Sequence, residues 1–164
     1  MTAPQLSVAL AAQLARVPTS YDGMRYAPCQ VRLRSGEILP RVYVAEESEY
    51  LRHWGVAPRA PVALENVESI EDSPFRLPRE LADSVYAVGE TGMGYFIFAV
   101  RLRDGRTIRF LTGDAIDFPD WPPGVDGRDA IEVLTYDRDA DQQPQPDESR
   151  GSAAALVCLY TRPS

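Results

Sequence analysis

Residues 95–112 read YFIFAVRLRDGRTIRFLT, and the way this stretch pairs with itself decides the fold class. β-Branched and aromatic side chains crowd both halves, and Asp104-Gly105 marks a turn between them. A two-residue turn would set Val100 against Arg109 and Leu102 against Thr107, mixing apolar and polar side chains on each face. A three-residue loop, Arg103-Asp104-Gly105 with the glycine left-handed, sets Val100 against Ile108 and Phe98 against Phe110. The second register is expected. Tyr95, Ile97 and Ala99 are apolar on the opposite face too, so the first half of the strand is expected to be covered on both sides and central in its sheet.

A second string of the same kind lies upstream. VRLRSG at 31–36 matches VRLRDG at 100–105 at five of six positions. Cys29, Val31 and Leu33 alternate with Gln30, Arg32 and Arg34, the pattern of a half-buried strand, and Ser35-Gly36 turns it back. A two-residue turn here would set Leu33 opposite Ile38 and Cys29 opposite Val42. Pro40 donates no ladder hydrogen bond, which makes the return strand an edge or gives it a bulge. Because the expected registers differ and Arg109 stands where Pro40 does, duplication and simple convergence of two turns both stay open.

Around these hairpins the apolar spacing predicts a helix over 4–16, built on Leu6, Leu10 and Leu14, and a loop over 21–28. EESEYLRHW at 46–54 has acids first and Arg52 and His53 last, as the helix dipole favours, with Tyr50, Leu51 and Trp54 turned inward. Short strands are expected at 62–64 and 67–70, and a helix at 78–88, whose last residues could also be strand. A loop follows over 113–130, then a strand at 130–136. Residues 137–152 lack any apolar side chain larger than alanine and are expected to be a flexible acidic linker, before a terminal strand in 153–161. The expectation is one compact α+β domain over 1–164, with a hairpin-rich core at 29–136, mainly antiparallel β. It consists of hairpin-based small sheets or a partly open barrel with two or three short helices.

Composition excludes several chemistries. The chain has 164 residues and all 17 basic ones are arginine, which removes every lysine mechanism, Schiff bases and P-loops included. With 24 acids the net charge is −7, and it is unevenly spread. Residues 1–110 hold 13 acids and 13 arginines, whereas 111–164 hold 11 acids against 4 arginines. The N-terminal MTAPQLSVALAAQLARV has no basic residue ahead of its apolar part, and Gln13 interrupts that part, so no export signal is expected. No apolar run is long enough to span a membrane. Cys29 and Cys158 sit among apolar neighbours and are read as buried thiols of a reducing cytoplasm, with a disulfide left open.

Gly89-Glu90-Thr91-Gly92-Met93-Gly94 runs G-x-x-G-x-G, not the dinucleotide G-x-G-x-x-G, and has strand rather than helix after it. A helix cap and a tight lead into a strand account for these glycines, with Glu90, Gly92 and Gly94 kept as ligand candidates. Asp114, Asp117 and Asp120 with Glu90 could gather a hard cation, but neither the EF-hand spacing nor any zinc pair is present, and no metal or cofactor is expected. His53 is the only imidazole, so a Cys–His or Ser–His–Asp arrangement would have to use it. Its place at a helix C-terminus is a structural reason for it. Arg32, Arg34, Arg101, Arg103, Arg106 and Arg109 gather at the two hairpin tips, as solvated strand ends do, and net negative charge opposes nucleic acid. In FPDWPPG at 118–124, Phe118 is expected to be pinned on the core, and Trp121 is either pinned or an interface anchor.

The functional expectation is a non-catalytic, acidic, bacterial-type cytoplasmic interaction protein. It would dock a basic protein partner through Asp114, Asp117, Asp120, Trp121 and Asp126, as an inhibitor, immunity factor or adaptor does. The alternative is a small-molecule or metal-binding enzyme using Glu90, Asp114 and Asp117. Nucleic acid and membranes are not expected partners, and oligomeric state is not fixed by the sequence.

Overall fold

Ser7 starts the first helix: its hydroxyl accepts from the Leu10 amide at 3.1 Å and caps α1 (Val8–Leu14). The helix is shorter than the 4–16 expected. Residues ahead of it run extended beside the C-terminus, where Thr161 N–H donates to Pro4 O and Gln5 bridges Thr161 in parallel. In this computed structural model the residues described are 2–113, 115–135 and 146–163, and the chain divides into two compact units. Unit 1 comprises Met1–Pro74 with Ala154–Ser164, and unit 2 comprises Phe75–Ala153, inserted in its sequence.

Unit 1 continues with β1 (Ser20–Tyr21), β2 (Arg25–Leu33), β3 (Ile38–Glu46), α2 (Glu47–Trp54) and, after a 3-10 turn at Leu64–Asn66, β4 (Val67–Asp72). With strands numbered in chain order, its last is β9 (Leu156–Tyr160). β2 pairs antiparallel with β1, β3 and β4, and β9 runs parallel to β3. The loop expected over 21–28 is therefore half strand. Cys29 faces Val42 as expected, but Arg32, not Leu33, faces Ile38. Pro40 and Arg41 together oppose Gln30, so the proline sits in a bulge inside the sheet, with β3 between β2 and β9. Leu10, Val17, Cys29, Val31, Val42, Val44, Val67, Ile70 and Cys158 make the core. No residue of α2 is buried, and Leu51 and Trp54, expected inward, are 39% and 43% exposed. The helix is amphipathic, yet its contacts are mainly with the ends of β3 and β9, which leaves part of the apolar stripe uncovered.

Unit 2 contains α3 (Arg79–Val88), β5 (Phe96–Leu102), β6 (Thr107–Thr112), a 3-10 turn at Gly127–Asp129, β7 (Ala130–Thr135) and β8 (Glu148–Arg150). The sheet order is β7-β5-β6-β8. Val100 pairs with Ile108 and Phe98 with Phe110, the register of the three-residue loop, with Gly105 at φ +94°. One face carries Phe96, Phe98, Val100, Leu102, Ile108 and Phe110 into a core closed by Leu77, Ala82, Val85, Ile116 and Trp121. Ile97 and Ala99 on the other face are half-buried, so that face is less covered than expected. β8 lies inside the expected linker, whose residues 137–145 fall outside the described ones. What orders 147–150 is polar: Asp147 accepts from the Thr107 amide at 2.7 Å, and the Arg150 guanidinium reaches both the carbonyl and the carboxylate of Asp120. Apolar content alone missed these anchors.

The two units repeat one another. Unit 2 runs helix, strand, strand, 3-10 turn, strand, strand, and unit 1 has the same order with β1 added after its first helix and α2 before its 3-10 turn. Leaving out β1, in each the third strand is antiparallel to the first and the fourth parallel to the second. Val31, Arg32 and Leu33 face Ile70, Ser69 and Val67, while Val100, Arg101 and Leu102 face Val133, Glu132 and Ala130, with the same slip before the leucine. Arg34 N–H donates to Asn66 O at 2.8 Å, and Arg103 N–H to Asp129 O at 2.8 Å. The matching hexapeptides are thus part of a repeat that spans whole units. The difference in turn register expected from the sequence is absent.

Candidate functional site

In unit 2 the glycine loop is a connector. Gly89 N–H closes α3 on the carbonyls of Val85 and Tyr86, and Gly94 N–H donates to the Glu90 carboxylate at 3.2 Å. At Gly92 the Tyr95 ring packs closely enough that a Cβ would lie 2.2 Å from it and the ring would have to shift. Glu90 and Thr91 line a cavity of about 210 Å³ with Val85, Val88, Ile97 and Thr135.

The acidic candidates do not converge. Asp117 is fully buried, accepting from Tyr86 Oη at 3.0 Å, so it ties its loop to α3. Trp121 is 5% exposed, donates Nε1–H to Phe75 O at 2.7 Å and sets its ring against Phe110, so it is pinned rather than offered to a partner. Asp120 pairs with Arg150 at 3.0 Å. Asp126 caps the 3-10 turn in a reciprocal box with Asp129, and the Arg128 side chain beside it holds its carboxyl below the usual range. Asp114 lies outside the described residues. No group of three His, Cys, Asp or Glu that could hold a metal occurs among the described residues.

Unit 1 holds the other reactive types. The His53 imidazole packs over Gly23, where a Cβ would come within 2.6 Å of it, and meets Trp54 edge-on. Cys29 is fully buried and donates to Ala27 O, and the buried Cys158 thiol is pushed up to about 12, chiefly by desolvation and then by the charge of Glu65. Such a thiol stays protonated at neutral pH.

Unit 1 also contains a cavity of about 270 Å³. Its lining is apolar at Leu6, Ala11, Leu14, Ala15, Ala27 and Val44, and polar at a mouth where the exposed Arg25 and Arg162 stand with Tyr26, Glu46, Glu49 and Tyr160. Burial raises the Glu46 pKa, but hydrogen bonds from the Ser48 hydroxyl and the Glu49 and Ser48 amides outweigh it and hold the carboxyl below the usual range. Glu49 gives one oxygen to Arg162 at 3.6 Å and the other to the Arg25 amide at 3.4 Å. Burial raises the Tyr160 hydroxyl, which stays neutral. None of these mouth residues was singled out as a site from the sequence. Strands β2, β3 and β9 bring them together, and no local pattern announces it.

Comparison with family models, curated proteins and solved structures found no match. No helix among the described residues is long and apolar enough to cross a membrane.

Proposed function

We propose that this chain is a non-catalytic interaction protein that binds a basic protein through unit 2, in the manner of an inhibitor, immunity factor or adaptor, in the cytoplasm. The observation that carries this reading is the division of charge between the units. Unit 2 has 15 acids against 9 arginines, a net of −6, while unit 1 has 9 against 8, a net of −1. Half of the excess comes from Asp114, Asp137, Asp139 and Asp141 set against Arg138. The interface expected at Asp117 and Trp121 is replaced by these residues, since both side chains are interior. A protonated, buried Cys158 supports the non-catalytic reading, and two buried cysteines outside any disulfide fit a reducing compartment.

One-sided charge speeds encounter with a surface of opposite sign and leaves a salt dependence as its mark. The test is to capture a partner from the source cell on the immobilised full chain, purify it and follow association by stopped flow. A basic partner whose association rate falls several-fold in the D137N/D139N/D141N variant, and falls again with added salt, supports the reading. A neutral or acidic partner, or a rate indifferent to both changes, overturns it.

A further inference from the structure

We propose that the cavity of unit 1 is a binding site for a small apolar carboxylate, with Arg25 as the residue that recognises its head group. At about 270 Å³ the space is at the lower end for ligand pockets, the size of a short aliphatic or monocyclic acid. About half of its lining is aliphatic, so an apolar body gains by leaving water there. The sign of the head group follows from how the mouth charges are already used. The Glu46 carboxylate is committed to the first turn of α2, through the amides of Ser48 and Glu49. Glu49 is paired with Arg162 at 3.6 Å. Arg25 contributes its backbone amide to Glu49, while its exposed guanidinium has no ion pair or side-chain hydrogen bond among the described residues. Arg25 is thus the charged lining side chain left without a partner among the described residues, and a guanidinium beside an apolar wall suits a carboxylate by bidentate hydrogen bonding. Tyr160, neutral at the same mouth, offers a hydroxyl beside it.

The repeat bears on the same point. In unit 2 the smaller cavity also opens between the C-terminal end of its helix and the start of its first long strand, at Val85, Val88 and Ile97. The corresponding walls in unit 1 are Leu14, Ala15 and Ala27. Each unit thus leaves space at that place. In unit 2 the charged lining residue is Glu90, already held by the Gly94 amide, and among the described residues it is the unit 1 cavity that has an arginine without a side-chain partner in its lining. The inference stands on unit 1 and does not depend on the partner proposed for unit 2.

The full chain, mixed with sodium hexanoate or sodium phenylacetate, is followed by thermal unfolding and by titration calorimetry, with hexanol and hexylammonium as probes of similar apolar size. Saturable binding of either acid, with a rise in Tm that grows with concentration, is the expected result, because a ligand specific to the native state stabilises it by mass action. Hexanol and hexylammonium bind at least about tenfold more weakly, and Arg25→Gln weakens hexanoate at least about tenfold, as loss of a charge-assisted hydrogen bond implies. Arg25 is exposed, so this variant keeps the parent Tm without ligand. Ala15→Phe, at an exposed wall of the cavity, blocks both acids. No binding by either acid, equal binding of the alcohol or the amine, or an Arg25→Gln variant that binds as the parent does overturns the proposal.

Discussion

Of the two tryptophans, Trp121 is expected to be either pinned or an interface anchor and Trp54 to be turned inward. Trp121, in an aspartate- and proline-rich loop, is interior, whereas Trp54, on an amphipathic helix, is 43% exposed. Replacing Trp121 with Phe removes the donor to Phe75 O and shrinks a buried ring, which lowers stability by about 1–3 kcal/mol, read as a lower urea midpoint at unchanged m. The fluorescence left in that variant comes from Trp54 alone. It is expected to be red-shifted and open to iodide quenching, and a blue, protected emission would contradict the exposure of Trp54. Glu46 carries a pH dependence. Its folded pKa lies below the unfolded value, so its contribution is complete above the ordinary glutamate range and is lost as pH falls through the depressed folded value. Glu46→Ala is expected to cost about 1 kcal/mol at neutral pH, as helix caps do, and to cost little in acid. A loss of stability in Glu46→Ala that is the same at pH 7 and at pH 3 would remove the capping role.

At the scale of elements, the two hairpin turns are copies. Leu33 N–H donates to Glu37 O at 2.8 Å and Leu102 N–H to Arg106 O at 2.8 Å, and Gly36 and Gly105 stand at φ +93° and +94°. A Cβ at either would meet no atom within 4 Å, so the cost of alanine is backbone strain alone. Gly36→Ala and Gly105→Ala are each expected to cost about 1 kcal/mol by chemical denaturation. Clearly unequal costs would show that the turns differ in a way their hydrogen bonds do not reveal. In the same sheet β8 is held by Arg150 and Asp147 rather than by apolar side chains, and Arg150→Ala is expected to speed amide exchange at Glu148–Arg150. Exchange there as slow as in the parent would mean that the β6 ladder alone holds the strand.

For the whole molecule the consequence of the repeat is autonomy of the inserted unit. The core and the ladders of Phe75–Ala153 are drawn from within that span, from Leu77 to Trp121 in the core and from β5 to β8 in the sheet. A fragment of residues 75–153 is expected to unfold cooperatively with a single urea midpoint and native-like circular dichroism. A fragment lacking a cooperative transition would show that the unit depends on the rest of the chain. The charge division gives a second outcome: the fragment is expected to keep the salt-dependent association proposed for the full chain, because the excess of acids is within it.

The sequence by itself determined the α+β class, the second hairpin in its correct register, the caps of α2 and α3, and the burial of both cysteines. Each is a local matter, fixed by alternation, by a glycine at a turn or by a polar side chain within a few residues of an amide. What only the tertiary structure decided depends on partners far along the chain. The inward face expected for α2 failed because periodicity defines a stripe but does not supply the surface that covers it. The sequence places Asp117 at an interface and leaves Trp121 open between pinned and anchor, whereas Tyr86, 31 residues away, and Phe75, 46 away, hold them inside. The segment at 148–150 was read as linker because its anchors are a guanidinium and a carboxylate reaching Asp120 and Thr107, and polar anchoring leaves no apolar trace in sequence. The cavity of unit 1 joins Arg25 to Tyr160 and Arg162 through parallel pairing of β9 with β3, and the sequence carries no signal of that long-range closure.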